Sequence, residues 1–183
     1  MAAKGAIAFI LDHKDDKLEA AQNIDEVLAE IYLPFEIYEK YKDYTTAPEI
    51  NPNYLLPKQV QTRLQKIMDE YVGGIATMYM TNKPMLEEGL KRLTLLKEDA
   101  QRMAARDLHE LMRAWEQYHR IIAGEAHLRH ILFREESRYP GYYYRSDFLS
   151  IDDNKWRVFT ISQYNKEKNE WTFETKPYVQ LVK

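Results

Sequence analysis

Histidine and glutamate side chains on one amphipathic segment are the first candidates for chemistry. Residues 107–132 carry four of the five histidines, and Glu116 stands three positions before His119. In di-iron helix bundles, a Glu-x-x-His pair presents a carboxylate and an imidazole on one helical face. A complete site needs a second such pair and further inward glutamates, and the sequence has one pair. One hypothesis is a self-sufficient bundle that binds metal through Glu116 and His119, and the other is a solvated or hydrogen-bonded helix face.

The sequence lacks the residues that other classes of catalytic site require. Without cysteine, the chain has no disulfide, thiolate nucleophile or iron–sulfur ligand of its own. None of the serines stands in the small-residue elbow that exposes a nucleophilic hydroxyl. The six glycines never reach the spacing of a dinucleotide-binding or phosphate-binding loop. We therefore assign no catalytic, cofactor-binding or metal-ligating residue, and expect this segment alone to be inactive.

A cluster of charged residues follows the histidine-rich segment. Arg134, Glu136 and Arg138 stand close together, and Arg145 and Asp147 follow an aromatic run. Cations at a helix C-terminus complement the helix dipole, so this cluster could be a capped, solvated helix end. Planar guanidinium groups also dock on carboxylates or carbonyls of a partner domain. Spacing alone leaves both interpretations open, and these five residues are the domain-docking candidates.

Composition narrows the possible partners. The formal charge of -3 argues against nucleic acid or an anionic membrane surface, since both require a concentrated basic patch. The apolar run from Ala6 to Leu11 is too short to span a bilayer or to act as a signal segment. We therefore expect a cytoplasmic protein without a membrane span.

Apolar spacing predicts four helices that must position these residues. The first covers about 20–33, and the second follows a proline-rich connection and ends at Gly73-Gly74. A third begins near Thr81 or Asn82, with Pro84 in its first turn, and runs to about Ala105. The longest is capped by Asp107 and ends before residue 139. Its expected core residues are Leu108, Leu111, Trp115, Tyr118 and Ile122.

Alternating side chains in the last third predict two strands. Residues 156–164 and 171–175 flank a polar turn at 165–169. The expected fold class is mainly α, a three- to four-helix bundle followed by an extended tail with a short β-hairpin. We interpret residues 1–19 as the remainder of a preceding segment, 20–138 as the bundle and 139–183 as the C-terminal arm.

The same charged cluster carries a resemblance to a known family. The succinate dehydrogenase and fumarate reductase flavoproteins typically show Glu-Ser-Arg-Gly-Ala-His, then Arg-x-Asp, then paired aspartates and a tryptophan. This order is resembled by Glu136-Ser137-Arg138, Arg145, Asp147, Asp152-Asp153 and Trp156. A Tyr-Pro-Gly and tyrosine run replaces Gly-Ala-His, which resembles the adenylylsulfate reductase branch. Further segments agree with that branch, among them 31–35, 43–54, 64–71 and 104–111.

The resemblance implies a C-terminal helical domain of a flavoprotein α subunit. The complete subunit would bind FAD in an upstream domain and pair with a ferredoxin-like iron–sulfur β subunit. Its ligands would be adenylylsulfate, sulfite and AMP, and the residues leave open whether the reaction runs reductively or oxidatively. The chemistry would be the cofactor's, with the protein positioning it. This segment would pack on the FAD domain and support assembly.

Overall fold

The structure, a computed structural model, describes residues 7, 11, 32, 35–41, 53–138, 143–165 and 167–179. The chain divides into two compact units, Met1–Leu33 and Pro34–Lys183. In the first unit, the three described residues are helical. The rest of the predicted helix over 20–33, and residues 42–52 of the proline-rich connection, lie outside the described residues. The fold below is that of the second unit.

Three long helices follow one another along this unit, and a two-stranded hairpin comes after them. A 3-10 turn follows the first helix, and a one-turn helix precedes the hairpin. In the described ranges of this unit, residues 35–39 and 41 are helical, and the helices that follow them are α1, Pro57–Tyr71; α2, Lys83–Ala100; α3, Leu108–Phe133; and α4, Asp153–Trp156. The strands are β1, Met80–Thr81; β2, Tyr144–Arg145; β3, Val158–Asn165; and β4, Glu170–Pro177. The predicted class, mainly α with a C-terminal hairpin, is confirmed.

Polar caps fix the starts of α2 and α3 where the sequence predicts them. The Asn82 side chain accepts a hydrogen bond from the Met85 amide at 3.0 Å, and Pro84 occupies the first turn. The Asp107 side chain accepts one from the Glu110 amide at 2.8 Å. Each cap satisfies an amide that the helix leaves unpaired at its first turn.

The ends of α2 and α3 come earlier than predicted. Helix α2 stops at Ala100 because the next residues pair with Leu55, which donates to the Arg102 carbonyl and accepts from the Ala104 amide, both at 2.8 Å. Helix α3 ends at Phe133 rather than just before residue 139, since Arg134 already has extended backbone. Tertiary hydrogen bonds therefore set the end of α2.

The buried face of α3 differs from the predicted stripe. Leu111 is buried and Trp115 and Tyr118 are partly buried, but Leu108 is 72% and Ile122 51% exposed. The prediction that Leu108 and Ile122 are core residues is therefore wrong. The buried stripe lies on a face of the helix that is rotated from the predicted one. Several positions on that face carry polar side chains, so a hydrophobicity pattern does not reveal it. Its members are Glu110, Leu111, Ala114, Gln117, Ile121, Gly124, Glu125, Leu128 and Ile131.

The helices pack closely where glycine removes a side chain. A Cβ atom on Gly89 of α2 would come within 3.0 Å of Leu128 on α3 and of Tyr71 on α1. Leu86, Leu93 and Leu96 of α2 are buried in the same core. The predicted bundle packing of these three helices is thus observed.

The C-terminal hairpin is antiparallel, with Ser162 opposite Phe173 at its middle. One of its faces lies on α3. The Phe173 ring stacks on Phe133 with centroids 4.9 Å apart, and the Ser162 hydroxyl lies 2.9 Å from His130 Nε2. An isolated two-stranded hairpin is marginal in water, so its contact with α3 is what stabilises it.

Candidate functional site

The carboxylate of Glu136 is completely buried at the end of α3 and is the centre of an ion-pair cluster. Arg134 Nη2 donates to it at 2.6 Å, and Arg138 donates through Nε and Nη2 at 2.8 Å each. The backbone amide of Asp152 donates to its other side at 3.2 Å. Burial alone would raise the pKa of Glu136, but these hydrogen bonds outweigh it and hold that pKa below its ordinary value. Glu136 is therefore a charged acceptor at neutral pH.

The same guanidinium groups reach the segment that leads into the hairpin. Arg134 Nη1 donates to Thr160 Oγ1 at 2.9 Å, and Arg138 Nη2 donates to Asp153 at 2.8 Å. The Arg134 guanidinium also lies 5.4 Å from the centre of the Trp156 ring. We call Arg134, Glu136, Arg138 and Asp153 the Glu136 cluster. It fastens α4 and the start of β3 to the end of α3.

A second buried arginine caps α3. Arg145 is 1% exposed, and its Nη1 donates to the Ile131 carbonyl at 2.6 Å. The last carbonyls of a helix have no partner within the helix, so a buried guanidinium satisfies them and opposes the helix dipole. The sequence suggested Arg134 and Arg138 for this capping role, and Arg145 performs it.

Asp147 connects the Arg145 cap to the N-terminus of α2. It accepts from Arg145 Nε at 2.8 Å and from Nη2 at 2.7 Å, and its second oxygen also accepts from the Lys83 amide at 3.0 Å. Hydrogen bonds from the Arg145 guanidinium lower the pKa of Asp147, and burial raises it by a smaller amount. The pKa of Asp147 therefore lies below its ordinary value. The C-terminus of α3 and the N-terminus of α2 therefore share one ion pair.

Ser137 is a residue of this site that the sequence did not single out by role. It is 4% exposed, and its hydroxyl accepts from the Arg145 amide at 2.8 Å and donates to the Phe148 carbonyl at 2.8 Å. Its place between Glu136 and Arg138 in the motif is the signal that could have indicated it. The five docking candidates and Ser137 thus lie together, and most of their polar groups bond within the chain.

Glu125 forms a separate buried ion-pair site in the middle of the fold. It is 6% exposed, and it accepts from Lys97 of α2, from Arg129 Nε at 2.8 Å and from Trp171 Nε1 of β4 at 3.1 Å. Burial would raise the pKa of Glu125, but Lys97 and Arg129 lower it below the ordinary value. Only the pair with Arg129, four residues on, could be read from the sequence, because the other two partners, Lys97 and Trp171, are 28 and 46 residues away.

The proposed metal pair does not gain further ligands in the described part of the chain. Glu116 binds Arg120 at 3.2 Å, and the His119 ring lies against Trp115 with centroids 5.4 Å apart. Among the residues that the structure describes, no three histidine, aspartate or glutamate side chains come together as a metal site. Nothing there supports the metal-binding alternative.

The glycines in the described part of the chain do not form a dinucleotide-binding loop. Gly73 and Gly74 form the turn after α1, and Gly89 and Gly124 lie where helices pack against each other. A dinucleotide loop instead needs glycines that let a helix N-terminus approach a pyrophosphate. The four described glycines therefore serve turns and helix packing. No helix in the described ranges combines the length and apolarity that crossing a bilayer requires.

Comparisons with known proteins agree with this architecture. The model of the family described as "Fumarate reductase flavoprotein C-term" matches residues 61–181. The adenylylsulfate reductase α subunit of Megalodesulfovibrio gigas is 48% identical over 179 residues, which are 98% of this chain and 27% of that protein. The chain therefore spans about a quarter of the length of this relative.

Solved structures of related proteins have the same fold. An adenosine-5-phosphosulfate reductase in covalent adduct with sulfite matches with a TM-score of 0.85 and 50% identity over 100% of this chain and 28% of that one. Adenylylsulfate reductase from Archaeoglobus fulgidus matches with a TM-score of 0.83 and 52% identity over 100% of this chain and 28% of that one. An E. coli quinol fumarate reductase chain, at 14% identity and a TM-score of 0.63 over 93% of this chain and 27% of that one, shares the fold.

The family resemblance seen in the motif from Glu136 to Trp156 is thereby confirmed. That motif is the buried ion-pair site at the end of α3, and the family match covers all of it. The chain belongs to the fumarate reductase flavoprotein C-terminal family.

Proposed function

We propose that this chain is the C-terminal helical part of the flavoprotein α subunit of an adenylylsulfate reductase. In the complete enzyme, adenylylsulfate and two electrons would give sulfite and AMP, or the reverse. The observation that supports this most is the similarity to adenylylsulfate reductases along the whole chain, at 48–52% identity. The more distant fumarate reductases share only the fold.

The role of this part is to pack on the FAD-binding part and to support assembly with a ferredoxin-like iron–sulfur β subunit. FAD belongs to another part of the complete subunit, because the described glycines form no dinucleotide loop. A nucleotide substrate favours a cytoplasmic location. The reacting groups would come from the cofactor and from residues outside this segment.

The five docking candidates contribute to this role in two ways. Glu136 and Arg145 are 0% and 1% exposed, so they act by holding residues 143–157 against the helices. Arg138, with 18% of its side chain accessible, lies on the exposed side of the Glu136 cluster beside its partner Asp153, which is not one of the five candidates and is 58% accessible. The accessible polar groups of Arg138 and Asp153 can interact with carbonyl or charged groups of a partner.

A chimeric subunit tests the proposal. This chain would replace the matching 27% of the Megalodesulfovibrio gigas α subunit, and the product would be purified with its β subunit. We expect a full complement of FAD, co-purification of the β subunit and adenylylsulfate-dependent activity. The measurements are flavin absorbance per subunit, gel filtration and turnover.

Two controls make the outcome decisive. The M. gigas subunit with the matching region deleted should lose flavin or the β subunit, and an Arg138→Ala chimera should lose part of the assembly. A deleted subunit that keeps its flavin, its partner and its activity would contradict the assembly role. Tight FAD binding by this chain alone, measured by calorimetry, would show a cofactor site in this segment and contradict the assignment of FAD to another part.

A further inference from the structure

The turn between α1 and β1 exposes an unusual run of large apolar side chains. Residues 75–80, which we call the apolar turn, contain no charged residue. Ile75 is 74% exposed, Met78 77%, Tyr79 41% and Met80 46%. Single exposed apolar residues are ordinary, but four within six positions form a contiguous patch of the kind found at binding surfaces.

Hydrogen bonds hold the apolar turn rigid at both ends. Asp69 Oδ1 accepts from the Ala76 amide at 3.1 Å, and the Gly74 carbonyl accepts from the amides of Thr77 at 3.2 Å and Tyr79 at 2.9 Å. The Tyr79 carbonyl accepts from Tyr144 of β2 at 2.8 Å. The apolar side chains are therefore presented by a fixed backbone.

Two consecutive residues of the apolar turn adopt left-handed backbone. Met78 has φ 54° and Tyr79 has φ 62°. These values lie in the left-handed region, which residues other than glycine and asparagine rarely adopt. Such strain persists only where the surroundings enforce it, and it concentrates at binding sites. Here it turns the Met78 side chain, the most exposed of the four, out of the bundle's own core.

We propose that the apolar turn inserts into an apolar hollow on the FAD-binding part of the same subunit. This inference rests on the proposed function and names the contact surface. The chain spans 27–28% of its relatives, so the larger part of the complete subunit is available to cover the patch. An uncharged patch requires an apolar partner surface, and a preformed turn loses little conformational entropy on binding.

This surface complements the role of the ion-pair site. The β1–β2 pairing joins Met80 to Tyr144 and Thr81 to Arg145 in parallel register. The ion pair between the buried Arg145 and the more exposed Asp147 therefore fixes β2, the strand that pairs with the end of the apolar turn. Arg145 acts as a positioning residue for the contact, and Met78 and Ile75 make it.

Position-specific thiol labelling tests the inference, because the chain has no cysteine. Met78→Cys would be introduced into this chain and into the chimeric subunit, and iodoacetamide labelling at position 78 would be followed by peptide mass spectrometry. We expect labelling to be at least about tenfold slower in the chimera than in the isolated chain. Leu95→Cys on α2, where the native leucine is 56% exposed, is the matched control and should label equally in both.

The outcomes separate this inference from the proposed function. Equal labelling at position 78 in a chimera that holds FAD and the β subunit would overturn the inference and leave the proposed function standing. A chimera without FAD would contradict both. Slower labelling of the isolated chain as its concentration rises would assign the patch to a second copy, which also overturns the inference.

A polar substitution supplies an independent readout. Met78→Asn keeps a residue that tolerates left-handed backbone but removes the apolar contact. In the chimera it should speed flavin release at least about tenfold, the loss typical of a central interface residue. Leu95→Asn is the control, and equal effects of both substitutions would overturn the inference.

Discussion

Glu136 accepts hydrogen bonds from two guanidinium groups and a backbone amide while remaining completely buried. A buried ion pair adds little net stability compared with an apolar equivalent, but the removal of one partner strands the other's charge. Glu136 therefore contributes to the geometry of the fold more than to its net stability. It specifies one position for residues 152–160 relative to the end of α3.

Replacement of Glu136 by glutamine should expose this dependence. Glu136→Gln leaves two partly buried guanidinium groups without their carboxylate, and we expect the free energy of unfolding to fall by about 3 kcal/mol at pH 7. Urea denaturation measures it. Glu135→Gln is the neighbouring control, since Glu135 is an exposed partner of Lys155, and its loss should cost less than about 1 kcal/mol.

The pH dependence of the same variant follows from the lowered pKa of Glu136. A depressed carboxyl pKa contributes stability above the unfolded-state value of about 4.3 and loses it as pH falls toward the folded-state value. The gap between the wild type and Glu136→Gln should therefore shrink below about pH 4.3. A gap that stays constant to pH 3 would contradict this account.

At the element scale, the turn after α1 depends on glycine at two positions. Gly73 has φ 86°, and a Cβ on Gly74 would lie 2.4 Å from the Asp69 Cα and 2.9 Å from its carbonyl oxygen. These are backbone atoms, which do not move aside. The prediction that Gly73-Gly74 ends the helix is confirmed, and the structure adds the reason for the second glycine.

Alanine at two glycines should have different effects. Gly74→Ala meets backbone, so we expect a loss of about 1–3 kcal/mol in the free energy of unfolding. Gly124→Ala meets the Met68 sulfur at 3.3 Å, a flexible side chain, and alanine favours the helix by about 1 kcal/mol, so its effect should be small. Thermal unfolding of both variants measures this, and equal losses would contradict the backbone clash.

Elements were predictable where local chemistry decides them. The caps at Asn82 and Asp107 and the alternating strands follow from side-chain spacing. The buried face of α3 does not, because Glu110, Gln117 and Glu125 occupy it and only their partners make that burial tolerable. A hydrophobicity pattern instead selects Leu108 and Ile122, which are exposed.

At the scale of the whole molecule, Glu125 ties α2, α3 and the hairpin together. Glu125→Gln keeps the shape but removes the charge that Lys97 and Arg129 face. We expect the free energy of unfolding to fall by about 2 kcal/mol and the amides of β3 and β4 to exchange faster with solvent. Hydrogen-exchange mass spectrometry with thermal unfolding measures both effects.

A conservative substitution on the hairpin side provides the control. Trp171→Phe keeps an aromatic ring and removes one N–H donor, so its cost should be about 1 kcal/mol. If Glu125→Gln changed stability without changing exchange in the hairpin, Glu125 would not hold the hairpin to α3.

The sequence indicated the charged motif of the candidate site but not its internal use. Arg134, Glu136, Arg138, Arg145 and Asp147 were recognisable by type and order. The bonds from Arg145 to the Ile131 carbonyl and from the Lys83 amide to Asp147 depend on tertiary folding, so the sequence did not indicate them. The docking role of these residues remains a prediction. The bonds of Glu125 to Lys97 and Trp171 and the exposure of the apolar turn had no sequence signal, since both depend on tertiary neighbours.

The hydrogen bond between the Lys83 amide and Asp147 spans 64 residues of sequence. During synthesis, α1, α2 and all of α3 emerge before Asp147, the residue that fastens α2 to the end of α3. We therefore expect the nascent bundle to lack this fastening until Asp147 has left the ribosome. Because translation proceeds from the N-terminus, the fastening of α2 to the end of α3 is one of the last steps in the co-translational folding of this part of the protein.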